Sequence, residues 1–349
     1  MARPRQSSKC RRPIDVQDFE QLTWRGKIRR LRKLAHNALQ QFDMAYTDLR
    51  LVGWYTNLLF RVFTPTKDSY VLRICGPGWR TDEDLRAEAA WLQALNCDTD
   101  IGVPQPQAAR NGDFIVEAAV EGVPGSRRCV LQSWLPGVPL EKRLTPENLY
   151  KMGVLFARLH AHTANFTPPP DFTTRKMDKV LARDEEDVLF LAENADAFTP
   201  HTRAILECTR ARVAAAYAEL YAAPGGLQVI HHDLWHGNIK VYRGKLHPLD
   251  FEDTVWGYAV QDLAMALQDL MSDVEPDDFE PLQAALRAGY ESLRTWPEAY
   301  PNQIDIFRAG RTLWVANYVA RFQRKHLKEH LDWLAPQLEG FLETGLVHK

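Results

Sequence analysis

Three oxygen-bearing side chains stand around one predicted β-hairpin. Asp233 precedes the hairpin, Asn238 lies at its start and Asp250 follows its last strand. The hairpin covers 239–249 and turns at Arg243-Gly244, a two-residue connection with glycine at its second position. Because a hairpin returns its two ends to the same place, all three side chains can face one pocket.

The types and spacing of these side chains suit phosphoryl transfer. They form the pattern H-x-D-x-x-x-x-N, followed twelve residues after Asn238 by Asp250 in the sequence Asp-Phe-Glu. A carboxylate can orient and deprotonate an attacking hydroxyl, while an amide and a second carboxylate hold Mg²⁺ against phosphates. We therefore predict that Asp233 is the catalytic residue and that Asn238 and Asp250 bind metal.

The elements before this stretch are mainly strands. Alternating apolar residues predict a five-stranded antiparallel sheet, and a helix starts at Thr81, which has acidic residues in its first turn. Another helical pattern, over 15–42, precedes the sheet. The predicted strands are 49–52, 58–63, 69–74, 113–117 and 128–133.

The elements after the sheet are mainly helices, apart from the hairpin. Leu135-Pro136-Gly137 is a candidate hinge, and the helix at Thr145-Pro146-Glu147 has the strongest start signal. We predict an α+β protein with a basic disordered tail, an N-terminal nucleotide-binding lobe and a helical C-terminal lobe. These three regions are 1–14, 15–134 and 135–349. The predicted helices are 145–162, 201–222, 259–272, 278–294, 303–327 and 329–345.

Composition is that of an ordinary soluble globular protein, with 349 residues, 45% hydrophobic and 25% charged. The net charge of −2 lacks the excess of positive charge that is typical of nucleic-acid-binding proteins, and no apolar run is long enough to span a membrane. Five scattered cysteines without a C-x-x-C pair predict neither disulfides nor a zinc site. We therefore expect a cytoplasmic protein.

The stretch 230–262 resembles the aminoglycoside phosphotransferase and choline kinase-like family, whose members are related to protein kinases. Asp233 matches its catalytic aspartate, Asn238 and Asp250 match its magnesium-binding pair, and Asp262 begins its Asp-Leu-Ala element. The resemblance extends over roughly residues 50–325. It implies a bilobal protein kinase-like fold and an ATP- and Mg²⁺-dependent transfer of phosphate to an alcohol.

The same resemblance implies a nucleotide site in the first portion of the chain. Asn57 matches a frequent asparagine in the loop over the nucleotide. Arg73 stands where protein kinases carry lysine, and Glu88 is its expected ion-pair partner. The residues expected to contact adenine are Gln132, Ser133, Trp134 and Leu135.

Two departures bear on the acceptor of the phosphate. His232 stands where relatives commonly have glycine, and Trp235 stands where protein kinases place lysine after the catalytic aspartate. The missing lysine favours a small-molecule hydroxyl over a protein. Acidic residues such as Glu252 and Asp253 would suit an amine-bearing acceptor. Amino alcohols, aminoglycosides, homoserine and sugars all stay open, as does the oligomeric state.

Three alternatives remain at this stage. An atypical Ser/Thr protein kinase would use the same machinery on another acceptor. A catalytically silent nucleotide-binding protein is suggested by Arg73. A metal-dependent hydrolase would use the cluster of His231, His232, Asp233 and His236.

Overall fold

The structure, a computed structural model, describes residues 18–182 and 185–348. The predicted basic tail at 1–14 lies outside the described residues. Two units are formed, one by residues up to 79 together with 107–132, the other by 80–106 together with 133 onward. The predicted lobe boundary after residue 134 stays a prediction.

The first unit is built on a five-stranded sheet. Its strands are β1 (Asp48–Trp54), β2 (Leu58–Phe63), β3 (Ser69–Ile74), β4 (Ile115–Ala118) and β5 (Arg127–Ser133), in the order β1-β2-β3-β5-β4. Strand β2 shows the alternation expected of a half-buried strand, with Leu58, Phe60 and Val62 buried. These side chains form one core with the buried face of the first helix.

That helix, α1 (Trp24–Leu39), is shorter than the predicted 15–42. The Thr23 hydroxyl accepts a hydrogen bond from the Gly26 N–H and thereby caps the first turn. The apolar spacing after residue 24 was therefore read correctly, whereas Phe19 and Leu22 precede the cap.

The second unit contains most of the helices. Helix α2 (Asp82–Asp98) begins with a capping box, in which the Thr81 and Asp84 side chains each accept from the other's backbone N–H. Helix α3 (Pro146–Thr163) packs on α6 (Pro276–Glu291), and α5 (Ala259–Asp273) packs on α7 (Gln303–Phe322). The unit is completed by α4 (Pro200–Ala222) and α8 (Leu327–Thr344).

Short strands of the second unit frame the predicted site. Strand β6 (Val138–Pro139) pairs with β8 (Ile239–Tyr242), which pairs with β9 (Lys245–Pro248); β7 (Gln228–Ile230) pairs with β10 (Val255–Gly257). Arg243 and Gly244, between β8 and β9, both have positive φ, of 50° and 77°. The predicted two-residue hairpin turn is thus present, with the backbone that suits the twist of its strands.

The predicted α+β class, with an antiparallel sheet first and helices afterwards, is confirmed. The main differences lie at helix ends. The predicted helix 303–327 ends at Phe322, and a 3₁₀ turn (Arg324–His326) separates it from α8. Among the described residues, no helix is both long and apolar enough to cross a membrane.

Candidate active site

The loop at 231–238 follows β7 and is fixed by the carboxylate of Asp262. Asp262 is buried at the start of α5, and its two oxygens accept from the backbone N–H groups of His231 (3.2 Å) and His232 (2.7 Å). His160 Nε2 lies 3.1 Å from the same carboxylate. Burial by itself raises the pKa of Asp262, but the His160 hydrogen bond, the electrostatic interactions with His160 and His231, and the His232 N–H bring that pKa below its ordinary value.

His232 has a left-handed backbone, with φ of 59°. A residue with a Cβ is strained in this region, whereas glycine adopts it freely. A glycine, which the family resemblance led us to expect here, would adopt this backbone without strain. Asp262 compensates in this chain because it binds the N–H of the strained residue directly.

His231 is a buried structural residue. Its Nε2 donates to the Leu249 carbonyl (2.9 Å), and its Nδ1 lies 3.3 Å from the Asp233 N–H. The ring packs against Phe251, with centroids 4.5 Å apart, and against the edge of Trp91. Burial lowers the pKa of His231, which is therefore neutral near pH 7.

Asp233 and Asn238 are in direct contact. The Asn238 side-chain N–H₂ donates to the carbonyl and to Oδ2 of Asp233, both at 2.9 Å. The Leu249 N–H donates to the Asn238 carbonyl (2.8 Å), which continues the hairpin ladder one step beyond β8 and β9. Asp250 is therefore the residue after the one that pairs with Asn238, as the hairpin predicted.

Asp250 is exposed and also has a left-handed backbone, with φ and ψ of 60°. The chain leaves β9 sharply here and enters a short 3₁₀ helix, Phe251–Asp253, in which Phe251 is completely buried. Such a conformation costs about 1 kcal/mol or more for a residue with a Cβ. The buried ring after it holds the turn in place.

Arg311, on α7, contacts Asp233, and the sequence analysis did not predict this contact. Its guanidinium binds Asp269 of α5 through two contacts, of 3.1 and 2.8 Å, and its Nη2 lies 3.5 Å from Oδ1 of Asp233. It also lies over the Trp314 ring, 4.5 Å from the centroid. Burial lowers the pKa of Arg311, but the negative charges of Asp269 and Asp233 have the larger effect and raise that pKa above its ordinary value. The guanidinium therefore stays charged. No local sequence signal separates Arg311 from Arg308, the neighbouring arginine of the same helix.

Arg311 and His232 line a narrow cleft beside Asp233. Most of the remaining lining is apolar and comes from α4, α5, α7 and the segment before residue 181. Its other lining residues are Met177, Val180, Tyr217, Gln261, Met265, Phe307, Gly310 and Trp314.

The acidic residues expected to attract an amine are largely paired. Asp253 forms an ion pair with the buried Arg80, whose Nε also donates to the Glu252 carbonyl (3.2 Å). Asp273 accepts from His236 Nε2 at 3.0 Å. The charge of Asp253 is thus balanced within the protein and Glu252 is buried, whereas the Asp273 side chain is 50% exposed.

The histidine cluster does not have the arrangement of a metal centre. His231 Nε2 is bonded to Leu249 and His236 Nε2 to Asp273. Within residues 18–182 and 185–348, no three or more His, Cys, Asp or Glu side chains are grouped to hold a metal ion. The metallohydrolase hypothesis therefore lacks its ligand set in these ranges.

The predicted adenine-contacting residues begin at the end of β5. Ser133 exchanges hydrogen bonds with Gln105, since its N–H donates to the Gln105 carbonyl and its hydroxyl accepts from the Gln105 N–H, both at 2.9 Å. Lys240 of β8 donates to the Leu135 carbonyl (2.8 Å) and lies 3.9 Å above the centroid of the Trp134 ring. Gln132 is half-buried within β5. Lys240 was not foreseen.

The other predicted nucleotide-binding residues lie in both units. In the first, Asn57 Oδ1 accepts from the Gly76 N–H at 3.1 Å, which braces the turn between β1 and β2. Arg73 is a buried residue of β3, and Glu88 is a buried residue of α2 in the second unit. The Arg73–Glu88 ion pair stays a prediction.

Known proteins resemble this chain in sequence and in fold. Amicoumacin kinase of Bacillus subtilis (strain 168) is 25% identical over 219 residues, which cover 60% of each protein. A microcompartment-associated aminopropanol kinase has a solved structure with a TM-score of 0.74 at 21% identity, covering 90% of this chain and 99% of that one. Amicoumacin kinase hAmiN, solved with AMP-PNP, Ca²⁺ and Ami, has a TM-score of 0.72 at 15% identity, with coverage of 90% and 96%.

The solved structures confirm the kinase-like fold. The sequence pattern of the phosphotransferase enzyme family matches residues 48–301. This span is well over half of the chain and contains Asp233, Asn238, Asp250 and Asp262. The expected resemblance is thereby confirmed, together with the expectation of a phosphotransferase. The chain belongs to the phosphotransferase enzyme family.

Proposed function

We propose that this protein is an ATP- and Mg²⁺-dependent kinase that transfers the γ-phosphate to a hydroxyl of a small molecule. The observation that carries this proposal is the contact of Asp233 with Asn238 at the start of the hairpin, with Asp250 two residues after its last strand. A hydroxyl-orienting carboxylate next to two further oxygen-bearing side chains is the arrangement that phosphoryl transfer requires.

Asp233 would orient the acceptor hydroxyl and take its proton. Its Oδ2 is bound by Asn238 and its Oδ1 faces Arg311, so the plane of the carboxylate is defined before an acceptor binds. Positioning of the attacking oxygen supplies much of the rate enhancement in phosphoryl transfer.

Asn238 and Asp250 would hold Mg²⁺. The donor set fits, because an amide oxygen and a carboxylate are hard ligands of the kind that Mg²⁺ prefers. The Asn238 side-chain nitrogen is committed to Asp233, which directs the amide oxygen away from that carboxylate. When bound, the ion neutralises charge on the phosphates.

The nucleotide would contact Asn57, Arg73 and the residues at the end of β5. ATP use is supported by the AMP-PNP in the solved hAmiN complex. Glu88 would pair with Arg73 to place the phosphates. The adenine contacts would come from Gln132, Ser133, Trp134 and Leu135.

The acceptor would be a small alcohol, with an amino alcohol as the first candidate. The lysine that protein kinases carry after the catalytic aspartate is missing here, which favours a small molecule over a protein as acceptor. Trp235, two residues after Asp233, folds its ring over its own loop, where a Cβ on Gly237 would lie 2.2 Å from it. Two of the similar proteins are named as kinases of aminopropanol and of amicoumacin, which also supports a small-molecule acceptor.

An acceptor screen tests this function. The wild-type protein would be incubated with Mg²⁺–ATP and single members of a panel of amino alcohols, aminoglycosides, homoserine and sugars. We expect ADP formation with at least one, and a new phosphate-ester signal in the ³¹P spectrum. A melting temperature that Mg²⁺–ATP leaves unchanged, together with no phosphate ester from any acceptor, would contradict the proposal.

A further inference from the structure

We infer that Arg311 is a positioning residue that sets the orientation of the Asp233 carboxylate through an Asp269–Arg311–Asp233 relay. The inference rests on the proposed phosphoryl transfer at Asp233. It assigns a role to a residue of α7, far along the chain from the 231–238 loop.

The Asp233 carboxylate is held on both oxygens. Asn238 donates to Oδ2 at 2.9 Å, and the Arg311 guanidinium faces Oδ1 at 3.5 Å. Two contacts on different oxygens fix the rotation of the carboxylate about its bond to Cβ. Since a carboxylate oxygen accepts more than one hydrogen bond, the contact with Arg311 is compatible with a hydrogen bond from the acceptor hydroxyl.

Arg311 is itself rigidly held. Asp269 accepts from Nε and Nη2 in a bidentate pair, and the Trp314 ring supports the face of the guanidinium. A planar fork bound in this way has one orientation, which the single ammonium group of lysine cannot reproduce. The Arg311 side chain is 13% exposed and the Asp269 side chain is 16% exposed, so water screens this ion pair only weakly.

The charges of the relay are suited to this role. Arg311 without a partner would neutralise Asp233 and reduce its attraction for a hydroxyl proton. Asp269 balances the guanidinium, and the three groups together keep one negative charge. The relay thus orients the carboxylate while it preserves the charge that the reaction needs.

The same helix offers a matched control. Arg308, almost one turn before Arg311, is also buried and paired, with Nη1 2.7 Å from Asp305. It also contacts the Met271 sulfur and lies over the Phe279 ring, and neither residue belongs to the relay. Arg308→Gln therefore removes a buried guanidinium from α7 and leaves the relay intact.

The test compares Arg311→Gln, Arg311→Lys, Asp269→Asn and Arg308→Gln with the wild type. The measurements are melting temperature, and kcat and KM for ATP, from ADP release with water as acceptor and with the best alcohol of the acceptor panel. We expect Arg311→Gln to lower kcat by roughly 10- to 100-fold, because a misplaced catalytic group has effects of that size. KM for ATP should stay within about twofold of the wild type, since Arg311 acts on orientation rather than on ATP binding.

Arg311→Lys should recover part of the lost rate, and Asp269→Asn should lower kcat less than Arg311→Gln. Arg308→Gln should lower the melting temperature and keep kcat.

Wild-type kcat in Arg311→Gln, with a stability loss like that of Arg308→Gln, would overturn the inference about Arg311. The proposed function would still stand if Asp233→Asn is inactive. A raised KM for ATP at unchanged kcat would overturn it as well. If Arg311→Gln fails to fold, Arg311→Lys and Asp269→Asn decide by the same criteria. A wild-type protein that Mg²⁺–ATP does not stabilise and that releases no ADP with water or with any acceptor of the panel would overturn the proposed function together with the relay.

Discussion

At the scale of single residues, the 231–238 loop depends on the Asp262 carboxylate. This group accepts from two consecutive backbone N–H groups and from His160, and it is 1% exposed. One of those N–H groups belongs to His232, whose left-handed backbone needs an external partner to be maintained. The position of Asp233 therefore follows from a residue almost thirty positions later in the chain.

Replacing Asp262 by asparagine should destabilise the protein. The amide has one acceptor oxygen in place of two, and its N–H₂ would face a backbone N–H. We expect the free energy of unfolding to fall by about 3 kcal/mol, the range for breaking a buried charged network. Denaturant unfolding of Asp262→Asn and the wild type measures this.

The matched control is Asp332→Asn, which removes a carboxylate from the exposed pair with Lys328 on α8. Its effect should be below about 0.5 kcal/mol, as for most surface pairs. If Asp262→Asn were as mild as this control, the carboxylate would have no anchoring role.

The contacts of single side chains were predictable where the contacting residues lie close together in the sequence. The proximity of Asp233, Asn238 and Asp250 was predictable because the hairpin that joins them lies within a few residues of each. Arg311 and Lys240 were not found, since each meets its partners only after elements distant in sequence have packed. The left-handed backbone at His232 was hidden too, because the residue there is not glycine.

At the scale of elements, the helix starts were read best where a cap was present. Thr81 and Thr145 both accept the expected hydrogen bond from the third residue of their helices, Asp84 and Asn148. Helix α1 was predicted too long because apolar residues continue before its cap at Thr23. Apolar spacing alone does not indicate where a helix begins, and the side-chain cap does.

The contact of α3 with α6 depends on glycine. A Cβ on Gly153 would lie 1.9 Å from the Leu286 carbonyl oxygen, and one on Gly289 would lie 1.9 Å from that of Tyr150. Backbone atoms cannot yield as a flexible side chain does, so the helices would have to separate. We expect Gly153→Ala to lower the free energy of unfolding by about 3 kcal/mol, at the upper end for overpacking.

Gly340→Ala on α8 separates this steric effect from helix propensity. Apart from its chain neighbours and the backbone of its own helix, no atom of the described residues lies within 4 Å of the added Cβ at that position. Alanine should therefore stabilise the protein there by about 0.5–1 kcal/mol, the usual difference in helix propensity. Equal effects of the two substitutions in chemical denaturation would refute the close-contact explanation.

At the scale of the whole molecule, stability should fall as the pH is lowered through about 6.5. Burial lowers the pKa of His231 and of His236 from the ordinary value of 6.5. The unfolded chain therefore takes up protons first, so the stability present above pH 6.5 is lost progressively on acidification. Each such histidine contributes up to about 1.4 kcal/mol per pH unit in that window.

Denaturant unfolding at pH 7.5 and 5.5 measures this loss. His236→Gln serves as the comparison, because glutamine can donate to Asp273 and cannot take up the proton. The variant should lose less stability between the two pH values than the wild type does. Identical losses would show that His236 titrates alike in the folded and unfolded chain.

The proposed function depends on Asp233 more than on any other residue. The most direct test is ADP formation by Asp233→Asn and the wild type at saturating Mg²⁺–ATP with the best acceptor, with ATP affinity measured by calorimetry. We predict that kcat falls by about 1000-fold or more, because general-base catalysis and hydroxyl positioning are both lost. ATP affinity should stay within a few-fold of the wild type. Wild-type turnover in the variant would contradict the assignment of Asp233 as the residue that orients and deprotonates the acceptor.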